Sequence, residues 1–428
     1  MTSPLHADAL PAHDVGDAVA SAGRKRRKIR FSRRWILPAL IAVAYVVLQF
    51  VGKPALPPSN DGFLYARATL EVLGDTRAEA EAKAKAVFCA TKADHDLRRT
   101  GLNPIALRND RGFDREARLA ACSATPPNGF NPASPRYQKI FETRPGFPVL
   151  AAPLVALFGV NAGLIATSVL FTALGGLLVH LLLRAVGASP RFAALGQALF
   201  YFTPIGWWGG YPVTEGPVLA ATVGVLLGAW WLWERRMTAG AAMLAGSLVL
   251  GTAVKYSTFL VIAAALVAVV ALVCLLRLPG VRHLGTAVLA GISLACLAGI
   301  AALSVRYDLP GSTETLQDTF TGHFAQSDVA DPWPLLGELN ANFWTVWIQE
   351  QARSPWLLLA VGLGAVAVFR HRRALGWLTL AVASTGVAAA VAHPVASEVE
   401  RLMLSVWLLA VVGLPLLLQR LMKHSAVA

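Results

Sequence analysis

The chain has 428 residues, of which 55% are apolar and only 15% charged, with a formal net charge of +13. That balance excludes an ordinary soluble domain of this length, which carries more charge. The apolar stretches are long enough to cross about 30 Å of hydrocarbon at about 1.5 Å per residue, and the Lys and Arg excess sits mostly between them, where membrane orientation explains it better than nucleic acid does.

Residues 1–34 read as a disordered, basic cytoplasmic N-terminus. Positions 1–23 lack hydrophobicity and periodicity. The run Arg24-Lys25-Arg26-Arg27-Lys28, with Arg30, Arg33 and Arg34, stands directly before the first apolar span, 35–52. The positive-inside rule puts this end in the cytoplasm, and the absence of a small-x-small cleavage site marks the span as an uncleaved anchor.

Residues 53–146 form the longest polar segment, read as a small, partly helical extracytoplasmic loop domain resting on the membrane. It opens on Ser59-Asn60-Asp61-Gly62-Phe63-Leu64-Tyr65, which holds a carboxylate in water close to the bilayer surface. The spacing of Phe63, Tyr65, Ala66, Leu70 and Leu73 predicts a helix over 62–73. Thr76-x-x-Glu79 is a capping box that opens a second helix. Pro126-Pro127-Asn128-Gly129 and Asn131-Pro132 break regular structure. Cys89 and Cys122 are candidates for a disulfide if the segment is extracytoplasmic; Cys274 and Cys296 read as small core residues inside apolar spans.

The region 147–305 begins with an apolar piece to Phe158, too short to span and read as interfacial or re-entrant. Spans two to seven follow at about 163–183, 192–208, 214–233, 239–254, 257–276 and 284–305. A second extracytoplasmic segment covers 306–354, spans eight to ten lie within 355–419, and 420–428 is a cytoplasmic tail. The expected fold is therefore an all-α polytopic membrane protein of about ten transmembrane helices, in the plasma membrane with both termini cytoplasmic.

Once the inward charges are set aside, Asp61, Arg144, Glu215, Lys255, Arg306, Asp308, Glu398, Glu400 and Arg401 remain at the outer ends of spans. Snorkelling explains any one of them, but ionisable groups at membrane depth are costly and often face a cavity or one another. Lys255 interrupts an otherwise apolar run from 239 to 276. Asp61 and Glu215 suit removal of a proton from an acceptor hydroxyl, while Arg144, Lys255 and Arg401 suit a phosphate. Trp207, Trp208 and Tyr211, with Trp333, Phe343, Trp344 and Trp347, read as an interfacial aromatic belt. Asp328 and Asp331 are only a weak cation signal, and His323 has no companion at metal-ligand spacing. No metal site is assigned, and a divalent ion stays an open question.

In their order along the chain these motifs resemble the GT-C superfamily of polytopic glycosyltransferases, which includes protein O-mannosyltransferases and lipid A aminoarabinose transferases. Asn60-Asp61-Gly62-Phe63-Leu64-Tyr65-Ala66 is similar to the acidic start of that family's first extracytoplasmic loop. Arg144-Pro145-Gly146-Phe147-Pro148 resembles the loop's end. Thr214-Glu215, Gly251-Thr252-Ala253-Val254-Lys255-Tyr256 and Glu400-Arg401 match later motifs. The resemblance implies a GT-C-like fold and inverting transfer of a sugar from a polyprenyl-phosphate donor, a substrate rather than a cofactor, to a glycan, lipid or protein acceptor. Asp61 would be the base, Glu215 its acidic partner, and Arg144, Lys255 and Arg401 would lie near the phosphate, with Tyr65 and Tyr256 beside them. Relatives often carry two adjacent acids where this chain has Asn60-Asp61, so the second acid is absent or supplied by Glu215. A transporter or flippase of lipid-linked or small substrates, and a non-catalytic scaffold of the same fold, are the other readings.

Overall fold

A computed structural model describes residues 35–51, 57–109, 113–125 and 134–425. The basic run before the first span, the 1–23 segment and the proline-rich breaks at 126–132 lie outside these residues. Among the described residues the chain is helical, with no strand.

Helix α1 (Ile36–Val51) leads to the loop domain, built from α2 (Asn60–Val72), α3 (Arg77–Gly101), α4 (Pro104–Asn109), α5 (Arg115–Ala124) and α6 (Pro135–Glu142). The predicted start signals are present. Ser59 caps α2 by accepting from the Gly62 amide at 3.0 Å, and Thr76 and Glu79 form a reciprocal capping box on α3. Cys89 and Cys122 are joined, tying α3 to α5. Closing a loop of 33 residues restricts the unfolded chain by about 3–4 kcal/mol. Cys122→Ser is therefore expected to loosen this domain selectively, seen as faster proteolysis between α3 and α5 while membrane insertion persists.

The apolar piece after the loop is α7 (Gly146–Phe158), which turns back at Gly159 (φ 79°) onto α8 (Val160–Ala185). A Cβ on Gly163 would lie 2.4 Å from the Val155 Cα, so the two helices approach backbone to backbone. The bundle continues with α9 (Pro190–Phe202), α10 (Pro204–Gly209), α11 (Glu215–Trp233), α12 (Met237–Leu275) and α13 (His283–Tyr307). Then come α14 (Ser312–Phe320), α15 (Pro332–Arg353), α16 (Trp356–His371), α17 (Arg373–Ala392), the short α18 (Val399–Leu402), a 3₁₀ turn and α19 (Trp407–Ser425). Helix α11 is buried on nearly every side and packs against α8 and α12. That explains why its sequence is apolar all round rather than on one stripe.

The chain is a multi-pass helical membrane protein, but the expectation of ten spans is corrected. Among the described residues six helices are long and apolar enough to cross a bilayer, or seven if α15 and α16, bent by 86°, count as one. The difference arises where apolar windows hide breaks. The predicted third span, 192–208, stops at Thr203, because Pro204 has no amide to continue α9 and opens α10 instead. Helices α1 and α16, at 16 residues each, fall short of the roughly 20 residues usual for a span.

The predicted fifth and sixth spans form one helical run that is broken at Lys255, whose backbone is extended (φ −157°, ψ 75°). A Cβ on Gly251 would sit 2.1 Å from the Phe259 ring. In a straight helix eight residues rise about 12 Å, too far for that approach, so the run is kinked at Lys255.

Candidate active site

The acidic N-terminus of α2, the first residue of α11, the break in α12 and the turn of α18 meet at the end of the bundle that carries the loop domain. Arg401 is the hub. Its Nη2 donates to Asp61 Oδ2 at 2.5 Å and its Nε to Glu215 Oε1 at 2.6 Å. Its Nη1 reaches Glu398 Oε2 at 3.4 Å. Lys255 Nζ lies 3.5 Å from the same Glu215 oxygen. A planar guanidinium with donors on three sides is suited to bridging several carboxylates at once. The residues come from positions as far apart as 61 and 401, yet all keep a little solvent contact: the side chains of Asp61, Lys255 and Arg401 are 18%, 19% and 15% exposed, so the cluster is reachable rather than sealed.

Arg144 stands on the other side of Asp61. Its charge acts on the hydroxyl of Tyr65, whose ring is buried in an aromatic group with Phe141 and Phe147. Burial opposes ionisation of Asp61, but Arg401 first, then Lys255 and Arg144, outweigh it and hold the carboxyl below its ordinary range. Burial pushes the Glu398 carboxyl up, which weakens its hold on Arg401. Two buried polar atoms in the cluster, Arg144 Nε and Glu215 Oε2, lack a hydrogen-bond partner among the described residues.

Of the residues singled out in the sequence, Asp61, Glu215, Lys255 and Arg401 are in direct contact, and Arg144 and Tyr65 border them. Tyr256 is turned aside: its hydroxyl donates to the Pro310 carbonyl at 2.8 Å and ties α12 to the link between α13 and α14. Glu400 accepts from the Trp208 indole instead of joining the cluster. Asp328 pairs with Arg136 and Asp331 caps α15, so these two acids do not share a site. No group of three or more His, Cys, Asp or Glu side chains fit to hold a metal ion occurs among the described residues.

Local packing sets this geometry. A Cβ on Gly146 would fall 2.6 Å from the Ala253 carbonyl carbon and 2.8 Å from the Val254 nitrogen. Only glycine lets the start of α7, two residues after Arg144, rest on the chain just before Lys255. Gly146→Ala is expected to force the two apart and cost about 1–3 kcal/mol, read as a lower unfolding midpoint in detergent or nanodiscs.

Sequence reasoning missed Tyr137 and Asp318 and found no role for His323. The Tyr137 hydroxyl lies 3.4 Å from Asp61 Oδ1. Its only sequence signal was the i, i+4 pairing with Phe141 on a short amphipathic helix. On the far side of α2, Gly62, Phe63 and Ala66 line a mainly apolar cavity of about 250 Å³ with Phe50, Leu164 and Ile165. Its walls include none of the five charged residues.

Comparison of the chain with protein-family models, curated proteins and solved structures finds no match.

Proposed function

We propose that this protein is a membrane glycosyltransferase of the GT-C kind, moving a sugar from a polyprenyl-phosphate donor to a hydroxylated acceptor with inversion. One observation carries the reading: the acids and cations chosen from five distant sequence motifs gather at one cluster. Three cations, Arg144, Lys255 and Arg401, stand among the carboxylates Asp61, Glu215 and Glu398, and a donor phosphate would compete with these acids for the cations.

In the resting protein Arg401 occupies Asp61. A donor phosphate competes for that guanidinium and draws it away, freeing Asp61 Oδ2 and raising its basicity. The acceptor hydroxyl then gives its proton to Asp61 as its oxygen bonds to the anomeric carbon from the face opposite the phosphate. The bond from that carbon to the phosphate oxygen breaks, and its electron pair leaves on the phosphate, where Arg144, Lys255 and Arg401 stabilise the charge. Glu215 holds Lys255 and Arg401 in place. The disulfide between Cys89 and Cys122 supports an oxidising, extracytoplasmic location for the loop domain, and hence the plasma membrane. The apolar cavity beside α2 is suited to part of a lipid tail.

The test is release of polyprenyl phosphate from a panel of radiolabelled polyprenyl-phosphate sugars by the purified protein in nanodiscs. Turnover of at least one donor, lost in Asp61→Asn, is the expected result. No turnover of any donor, or undiminished turnover in that variant, refutes the reading.

A further inference from the structure

The turn that follows α14 holds the backbone in an uncommon conformation. Gly322, His323 and Phe324 all have positive φ, at 62°, 62° and 63°. A bulky residue such as Phe324 rarely adopts the left-handed region, and such outliers gather at functional sites. Here the twist is held from both ends. The Phe324 amide donates to Thr321 Oγ1 at 2.9 Å, and the Phe324 ring lies under the Arg136 guanidinium at 4.2 Å. Arg136 in turn is neutralised by Glu314 and Asp328.

The result is to aim His323 at the cluster. Its ring lies against Tyr137, centroid to centroid 4.4 Å, and the Tyr137 hydroxyl donates to Asp61 Oδ1 at 3.4 Å. Asp318 Oδ1 sits 2.9 Å from His323 Nδ1, and Nε2 has no hydrogen-bond partner among the described residues. A carboxylate that orients an imidazole is the arrangement expected of a working proton acceptor.

We infer that Asp318 and His323 form the proton exit of the site: the proton that Asp61 takes from the acceptor passes by the Tyr137 hydroxyl to His323 Nε2, and from there to solvent. This rests on the transferase reading above. The balance is simple. Asp61 returns to its carboxylate, Tyr137 gives up one proton as it receives another, His323 becomes cationic beside Asp318, and water discharges it. Asp61 has to return to its carboxylate before the next turnover, the form that Arg401, Lys255 and Arg144 favour.

The groups facing His323 set its titration. Asp318 on α14 raises it, burial lowers it, and Asp61 on α2 and Glu398 ahead of α18 raise it further. Tyr137 on α6 is uncharged at neutral pH. His393, after α17, bonds Thr319, and its burial pushes it down. The net direction is up from 6.5.

The first measurement needs no substrate. Titration of isotope-labelled histidine by NMR in nanodiscs is expected to place His323 above the ordinary value. Its midpoint should move down in Asp318→Asn and, by less, in Asp61→Asn. A His323 midpoint indifferent to Asp61→Asn overturns the inference whatever reaction the protein performs.

The second measurement is the pH dependence of donor turnover. The wild type should lose rate as pH falls through the His323 midpoint. Asp318→Asn should carry that limb to lower pH, and His323→Gln and Tyr137→Phe should flatten it with at least a ten-fold lower plateau. An unchanged acid limb in His323→Gln overturns the exit while leaving the transferase reading intact. No turnover in the wild type refutes both. A purely structural His323 would lower the plateau without moving the limb in Asp318→Asn.

Discussion

Replacing Asp61 by Asn is expected to lower sugar transfer by about 10²–10⁴-fold, the usual contribution of a positioned general base, while the protein still folds, inserts and binds donor. The amide keeps the size of the carboxylate, so α2 and its Ser59 cap stay in place. It also releases one of the three contacts of Arg401, leaving that guanidinium freer for a phosphate. Donor affinity should therefore hold or rise while turnover collapses. Equilibrium binding of a polyprenyl phosphate beside the transfer assay separates the two effects, and a parallel loss of both would assign Asp61 to binding rather than to chemistry.

Arg401→Gln should be the most damaging single change for stability. Removing the cation leaves Asp61 and Glu215 facing each other with only Lys255 and Arg144 nearby, and an uncompensated buried charge costs about 3–5 kcal/mol. Lysine is not expected to rescue it fully, because one ammonium cannot reproduce three divergent contacts. The pH dependence identifies the cause.

In the wild type the folded Asp61 titrates below its unfolded value near 3.8. Its stabilisation is therefore complete above that value and disappears as pH falls through the folded one. In Arg401→Gln the carboxylates are better off protonated, so the deficit against the wild type should shrink steadily from pH 7 to pH 4. An equal deficit at both pH values, measured by thermal unfolding in nanodiscs, would point to lost packing instead of unpaired charge.

Much of the site was readable because membrane sequences leave few reasons for a charge. Lys255 within an apolar run, Glu215 at the head of an otherwise uncharged span and Asp61 just after α1 stand out against that background, and the structure brings all three to Arg401. The helix starts at Ser59 and Thr76 were equally legible, since capping is local chemistry. The number of spans was not. Hydropathy reports that a stretch is apolar but not whether it is one helix, so the stop at Pro204 was hidden within a uniform run. His323 was invisible for another reason. Its partners, Asp318 and Tyr137, lie on different elements, and a backbone twist at Gly322 aims the ring. Nothing in a one-dimensional pattern encodes that convergence.

The kink at Lys255 puts one residue where architecture and charge meet: its backbone joins the two arms of α12 while its ammonium lies 3.5 Å from Glu215. An apolar replacement would take charge from the cluster and leave the interrupted backbone, in lipid, with less reason not to close into a continuous helical ladder.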